Sequence, residues 1–120
     1  MMPFPPVSEL PTFTGGEIAQ VWLDPWGLRF LFDSEVQLYI EYRMEHIEAD
    51  GTAWLYDAQA ETKSPLVLHR LLYKKIISFS RDDLCLIFGF ENGDRLSVYS
   101  DTGQYESGNI TTPAGTFTVF

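Results

Sequence analysis

Apolar and polar residues alternate through "LIFGFENGDRLSVYS" at residues 86–100, break at a turn, and alternate again. Side chains two apart on an extended chain share a face, so this is the pattern of a β-hairpin. Its turn holds Asn92-Gly93, a pair that accepts the positive φ of a tight hairpin turn. A second copy, "LRFLFDSEVQLYIEY", occupies residues 28–42.

The two copies align at a constant offset, Leu38 falling on Leu96. At that offset Leu28, Phe30 and Phe32 meet Leu86, Phe88 and Phe90, while Ile40 meets Val98. Ile18, Asp24 and Trp26 meet Ile76, Asp82 and Leu84. Agreement in both strands, in turn length and in the acid upstream predicts an internal duplication of a three-strand meander. The strands are "EIAQVWL", "LRFLF" and "VQLYIEY" in the first unit, and "KKIISFS", "LCLIFGF" and "RLSVYS" in the second. The Phe and Leu positions of one parity form the expected core. Leu31 and Ile87, of the other parity, predict middle strands that are covered on both faces.

Between the units, "SPLVLHRLLYKK" carries leucines at helical spacing after Ser64-Pro65, which predicts one short helix at about 65–73. Residues 43–62 are open to two readings, a hairpin turned at Asp50-Gly51 or an irregular crossover. Two more strands flank Pro113-Ala114-Gly115. The fold expected is mainly β: two pseudo-symmetric three-strand meanders forming a barrel or sandwich, with one short helix. Residues 1–12 read as a proline-rich N-terminal arm and 13–120 as a single β domain.

Charge sharpens this picture. The net charge is −9, and residues 1–62 carry 11 Asp+Glu against 2 Lys+Arg while the remainder is balanced. No Lys/Arg-rich patch exists to meet a phosphate backbone, which argues against nucleic acid. An acidic face suits a basic protein partner, though it also serves solubility. No apolar run approaches the roughly 18 residues that a membrane helix needs, and the N-terminus lacks a signal core, so a cytoplasmic location is expected. Cys85 stands alone, inside a strand, and reads as a buried hydrophobe.

Candidate chemistry is sparse. His46, Glu48 and Asp50 alternate and would share one face, where a metal or acid–base work is conceivable. Exposed polar alternation on an edge strand accounts for the same letters better. Asp24 and Asp82 occupy equivalent places and suit turn caps more than a carboxylate pair. No serine has a nucleophile-elbow context, and there is no phosphate loop, dinucleotide fingerprint or HExxH. Trp22, Trp26 and Trp54 read as core filling ahead of a cavity lining. No catalytic residue, metal site or cofactor is expected.

The stretch "LCLIFGFENGDRLSVYSDTGQYESGNI", followed by "TPAG", resembles a family of small uncharacterised bacterial proteins. Their pattern runs L-x-L-x-F-x-x-G-x-x-L-x-V, then Tyr-Glu-Ser-Trp. The likeness is specific at Tyr105-Glu106-Ser107, and Gly108 stands where the family has Trp. It implies no activity, and some similar small acidic proteins look like immunity or antitoxin partners.

Together these readings point to a non-enzymatic protein-interaction module, with a small-ligand-binding β-barrel as the alternative. The expected surface comprises Glu41, Glu45, Glu48, Asp50, Tyr105 and Glu106. The last strand, "TFTVF", lacks lysine, proline and inward charge. It is therefore expected at a sheet edge, where a homodimer would place residues 105–120 at its contact.

Overall fold

The computed structural model describes residues 3–101, 103 and 105–120. Ten strands form two antiparallel sheets. They are β1 (Ile18–Leu23), β2 (Leu28–Phe32), β3 (Gln37–Ile40), β4 (Arg43–Ile47), β5 (Ala53–Asp57), β6 (Ile76–Asp82), β7 (Cys85–Phe90), β8 (Arg95–Tyr99), β9 (Gly108–Thr111) and β10 (Phe117–Val119). One sheet has the order β1-β2-β3-β9-β10 and the other β5-β4-β8-β7-β6. Neither closes on itself, so the molecule is a sandwich and the barrel reading falls.

Both expected meanders are present, and their registers coincide. Ile18 faces Phe32 as Ile76 faces Phe90, and Phe30 faces Leu38 as Phe88 faces Leu96. Even the bulge after Ile18 recurs after Ile76. Each meander is completed by a hairpin from the other half: β4-β5 adds to β8, and β9-β10 adds to β3. These hairpins also correspond. His46 faces Leu96 and Trp54, while Ile110 faces Leu38 and Thr118. The five strands of one half therefore map onto the five of the other, with a hairpin exchanged in each direction. Hairpin exchange ties the sheets together covalently and in hydrogen bonding, through the crossovers 41–42 and 100–107.

The core lies between the sheets. Phe30, Phe32, Leu38, Phe88, Phe90 and Leu96 are all buried, as their parity predicts. Phe32 and Phe88 stack across the interface at 6.2 Å, and Phe13 sits against both at 5.0 and 5.1 Å. Fully burying each such ring contributes about 1.5–3 kcal/mol. Asp24 and Asp82 each accept the N–H of the residue two further on, as turn caps do. Phe117 is exposed on β10, at the edge of its sheet.

Several expectations are corrected. The helix expected at 65–73 is a single 3-10 turn, Leu68–Leu71, and Ser64 does not cap it. The segment is held by β-type bonds to β1 instead, Tyr73 N–H donating to Ile18 C=O. Leu31 and Ile87 are only partly buried, so the middle strands have one open face. Trp22 and Trp26 are 49% and 74% exposed, and do not fill the core. The arm is more ordered than its prolines suggest: Val7–Glu9 forms a 3-10 turn, and Phe4 and Leu10 are buried. The 43–62 ambiguity resolves to a hairpin, β4-β5, with Gly51 in the turn at φ 91°.

Candidate interaction site at the crossover end of the sandwich

Because the halves share one scaffold, each position has a counterpart that shows what the fold alone requires there. Departures from the match mark residues placed for another reason. Two of them, with an acidic group beside them, lie at the end of the sandwich where the chain crosses between sheets.

The first departure is length. Two residues, 41–42, join β3 to β4, while eight, 100–107, join β8 to β9. The longer crossover carries Tyr105 and Glu106, both exposed. It is bound to the shorter one by the Glu41 N–H, which donates to the Ser107 C=O at 2.8 Å. Between them lies a polar hollow of about 150 Å³ lined by Tyr42, Gln59, Asp101, Tyr105 and Glu106 among others. Gly108, just beyond, has no room for a side chain: a Cβ there would stand 2.6 Å from the Phe120 ring.

The second departure is the β1–β2 turn. Trp22, Leu23 and Trp26 are exposed, and their counterparts in the β6–β7 turn are Ser80, Arg81 and Leu84. A serine and an arginine satisfy the scaffold at positions 80 and 81, so the first-half tryptophan and leucine are not needed for folding. Next to Leu23 the surface is grooved. One apolar groove of about 250 Å³ runs between Val21, Leu23, Leu66 and Leu72, and a slot of about 230 Å³ lies between Leu23, Asp24, Tyr56, Lys63, Ser64 and Leu66.

The third feature is charge. The Asp24 carboxylate accepts the Trp26 and Gly27 N–H groups and the Tyr39 hydroxyl. Partial desolvation opposes ionisation of Asp24, but these bonds and nearby Arg29 outweigh it and hold the carboxyl below its ordinary range. Burial and the same carboxylate push the Tyr39 phenol up to about 12. Glu41 shifts the other way from Asp24: burial, then the charges of Glu106 and Asp24, raise its pKa. Glu41 thus lies beside the like charges of Glu106 and Asp24. Asp57, at the end of β5, is offset by Arg43 at 3.5 Å.

The expected surface residues therefore divide. Glu41, Tyr105 and Glu106 come together at the crossover end. Glu45 faces outward in mid-strand, opposite Leu55 and Ser97. Glu48 and Asp50 lie at the far end of β4, where Glu48 is committed to Trp54 Nε1 and to Arg70. Those two donors hold the Glu48 pKa down. His46 parts from Glu48 and Asp50, since it points into the core and contacts Asp94. Among the described residues no group of three metal-ligating side chains assembles. Burial, and then Asp82, push the Cys85 thiol up, which suits a packing role.

Sequence reasoning missed Trp22, Leu23, Trp26 and Asp24 as surface features. The signal was present in the offset alignment, where Trp22 and Leu23 fall on Ser80 and Arg81. Among the described residues no helix is long and apolar enough to cross a membrane. No protein-family model matches the chain, and neither a curated protein nor a solved structure matches it.

Proposed function

We propose that this protein is a non-enzymatic interaction module that binds a basic, partly apolar protein through the crossover end of the sandwich. The observation that carries this reading is the asymmetry at the β1–β2 turn. Trp22 and Leu23 are exposed where the same scaffold folds with Ser80 and Arg81, and exposed Trp26 stands where the second half exposes the smaller Leu84. Exposed apolar groups that the fold does not need are a recognised mark of a binding surface, and tryptophan is the residue most enriched at binding hot spots. The acidic group of Asp24, Glu41 and Glu106 beside them supplies the charge half of the match. Ionised Glu41 is held against like charges, and a cation brought to this face relieves that repulsion. An immunity or antitoxin-like role, in which a small acidic protein covers a basic enzyme, fits this chemistry. The ligand-barrel alternative loses its main support, because the space between the sheets is filled by phenylalanines.

Photo-crosslinking tests the reading. A benzophenone amino acid placed at position 26 should trap one protein in the native host. The same group at position 77, where Ile77 is also exposed but lies on β6, should not trap it. Equal capture from both positions would contradict the assignment.

A further inference from the structure

The two sheets end at β1 and β10 in one and at β5 and β6 in the other. A strand edge presents unpaired N–H and C=O groups, so it has to be covered, guarded by charge or paired. β1 is covered where it begins: Tyr73 N–H donates to Ile18 C=O, and Leu72 bridges the same residue. β6 is covered at both ends. Gly15 and Gly16 bond to Ile76 at one, and Phe4 of the N-terminal arm bonds to Asp83 and Arg81 at the other. β5, the counterpart of β10, ends on Asp57 and runs beside Glu45 and Arg43. β10 has none of these devices. Residues 107–120 include no Asp, Glu, Lys or Arg, and uncharged Asn109 stands on β9 where β4 has Glu45. The ladder shows which groups are left over. Thr116 C=O accepts the Thr112 N–H, and Phe120 N–H donates to Gly108 C=O, so alternate residues of β10 spend their main-chain groups on β9. Phe117 and Val119 fall between them and turn theirs to the open side. Among the described residues no main-chain partner reaches them there. Their side chains share the outer face of the sheet, where Phe117 is 60% exposed.

From this we infer that β10 pairs with β10 of a second copy of this chain, antiparallel about a twofold axis at Thr118. That register sets Phe117 opposite Val119 of the second copy, and Val119 opposite its Phe117. In each pair both residues turn their free N–H and C=O toward the other, so the ladder continues across the axis. Each exposed Phe117 ring then lies against a valine, an aromatic–β-branched pair of the kind that stabilises antiparallel strands. Setting Phe117 opposite itself would instead leave Val119 facing Gly115, which belongs to the turn. Charge selects the occupant. A second copy carries the same net charge of −9 and is repelled wherever acid faces acid, and this edge is free of acid. A basic partner gains nothing from so neutral an edge. Twofold pairing also closes, because it consumes the unguarded edge of each copy. β1 lies at the opposite side of the same sheet, so the β1–β2 turn stays uncovered. The pairing is therefore independent of the proposed docking face.

Sedimentation velocity of the full-length protein at physiological salt tests this. At about 100 µM, enough to populate a small specific interface, the expected mass is that of two chains. Phe117→Lys puts a charge beside the axis and should weaken association at least tenfold. Leu55→Lys, at an exposed position of the counterpart strand β5, should leave it unchanged. Register has its own readout, which also serves if the lysine variant does not fold. Thr118→Cys should form a disulfide-linked dimer on mild oxidation, because directly opposed residues at a non-hydrogen-bonded site bring their Cα atoms to about 4.5 Å. Phe117→Cys, offset from its twin across the axis, should not. A single-chain mass at that concentration would overturn the inference, as would association that survives Phe117→Lys or that Leu55→Lys weakens equally. Crosslinking at position 117 in place of 118 would overturn it as well.

Discussion

His46 Nε2 lies 2.8 Å from Asp94 Oδ2, and this pair, 0% and 5% exposed, replaces the apolar Ile110 and Val36 of the other sheet. The scaffold therefore folds around hydrophobes at both positions. Asp94 Oδ1 accepts the Ala49 N–H, whereas His46 Nδ1 has no partner among the described residues. A buried pair whose lone pairs and protons are only partly satisfied is weak support for stability, and removing one member strands the other.

The expected result is non-additive. His46→Ile should cost about 3–5 kcal/mol, because it leaves Asp94 buried and without its side-chain partner. Adding Asp94→Val, which gives both positions the apolar pattern of the other sheet, should recover most of that loss. Urea denaturation of the two singles and the double closes the cycle. Additive losses would mean that the two halves differ here in packing as well as in chemistry.

The core makes a simpler demand. Phe88→Ala removes a ring that touches Phe13, Phe32 and Phe79, and should cost about 3–5 kcal/mol. A loss under about 1 kcal/mol on chemical denaturation would contradict the burial of this position.

Both halves read clearly where the alternation is strict. Phe30, Phe32, Phe88 and Phe90 keep one parity, and a slip of one residue would turn each outward, so register is fixed by the sequence itself. Hairpin exchange was not legible. An alternating strand such as Arg43–Ile47 records which face is apolar but not which neighbour it pairs with. The Leu68, Leu71 and Leu72 spacing suggests a helix, yet the segment is too short to nucleate one and gains more from bonding to β1. The alternation groups His46 with Glu48 and Asp50 on one exposed face. Its parity with Met44, and the fall of Asp94 on Val36 at the repeat offset, are the better guides. Of the site, the acidity and the Tyr105-Glu106 segment were visible, while the exposure of Trp22 and Trp26 was not, because tryptophan is apolar enough to suit either side.

Backbone conformation follows the same correspondence. Gly93 has φ 90°, and its first-half counterpart Glu35 adopts φ 67°. A side chain in the left-handed region is strained, so Glu35→Gly should stabilise the fold by about 0.5–1 kcal/mol after the added freedom of the unfolded chain is counted. Thermal unfolding checks this, and a destabilised variant would show that the Glu35 side chain contributes more than its backbone costs.

The acidic group predicts a pH effect. Burial, Glu106 and Asp24 raise Glu41 above its ordinary value of 4.5. A folded-state carboxyl raised in this way favours folding below its unfolded pKa, and that contribution is lost as pH rises through the folded one. Repulsion is thus felt at neutral pH. Glu106→Gln should stabilise the protein more at pH 7 than at pH 4 and should move the Glu41 titration, followed by carboxyl NMR, toward 4.5. An unmoved Glu41 would separate the two crossovers electrostatically.

The central claim is that the tryptophans at the β1–β2 turn serve binding and not folding. It is tested most directly by giving the first half the residues of the second, Trp22→Ser with Trp26→Leu, and measuring affinity for the crosslinked partner beside thermal stability. The account predicts an unfolding midpoint within a few degrees of the parent and partner affinity reduced at least a hundredfold. Retained affinity, or a variant that no longer folds, would contradict it.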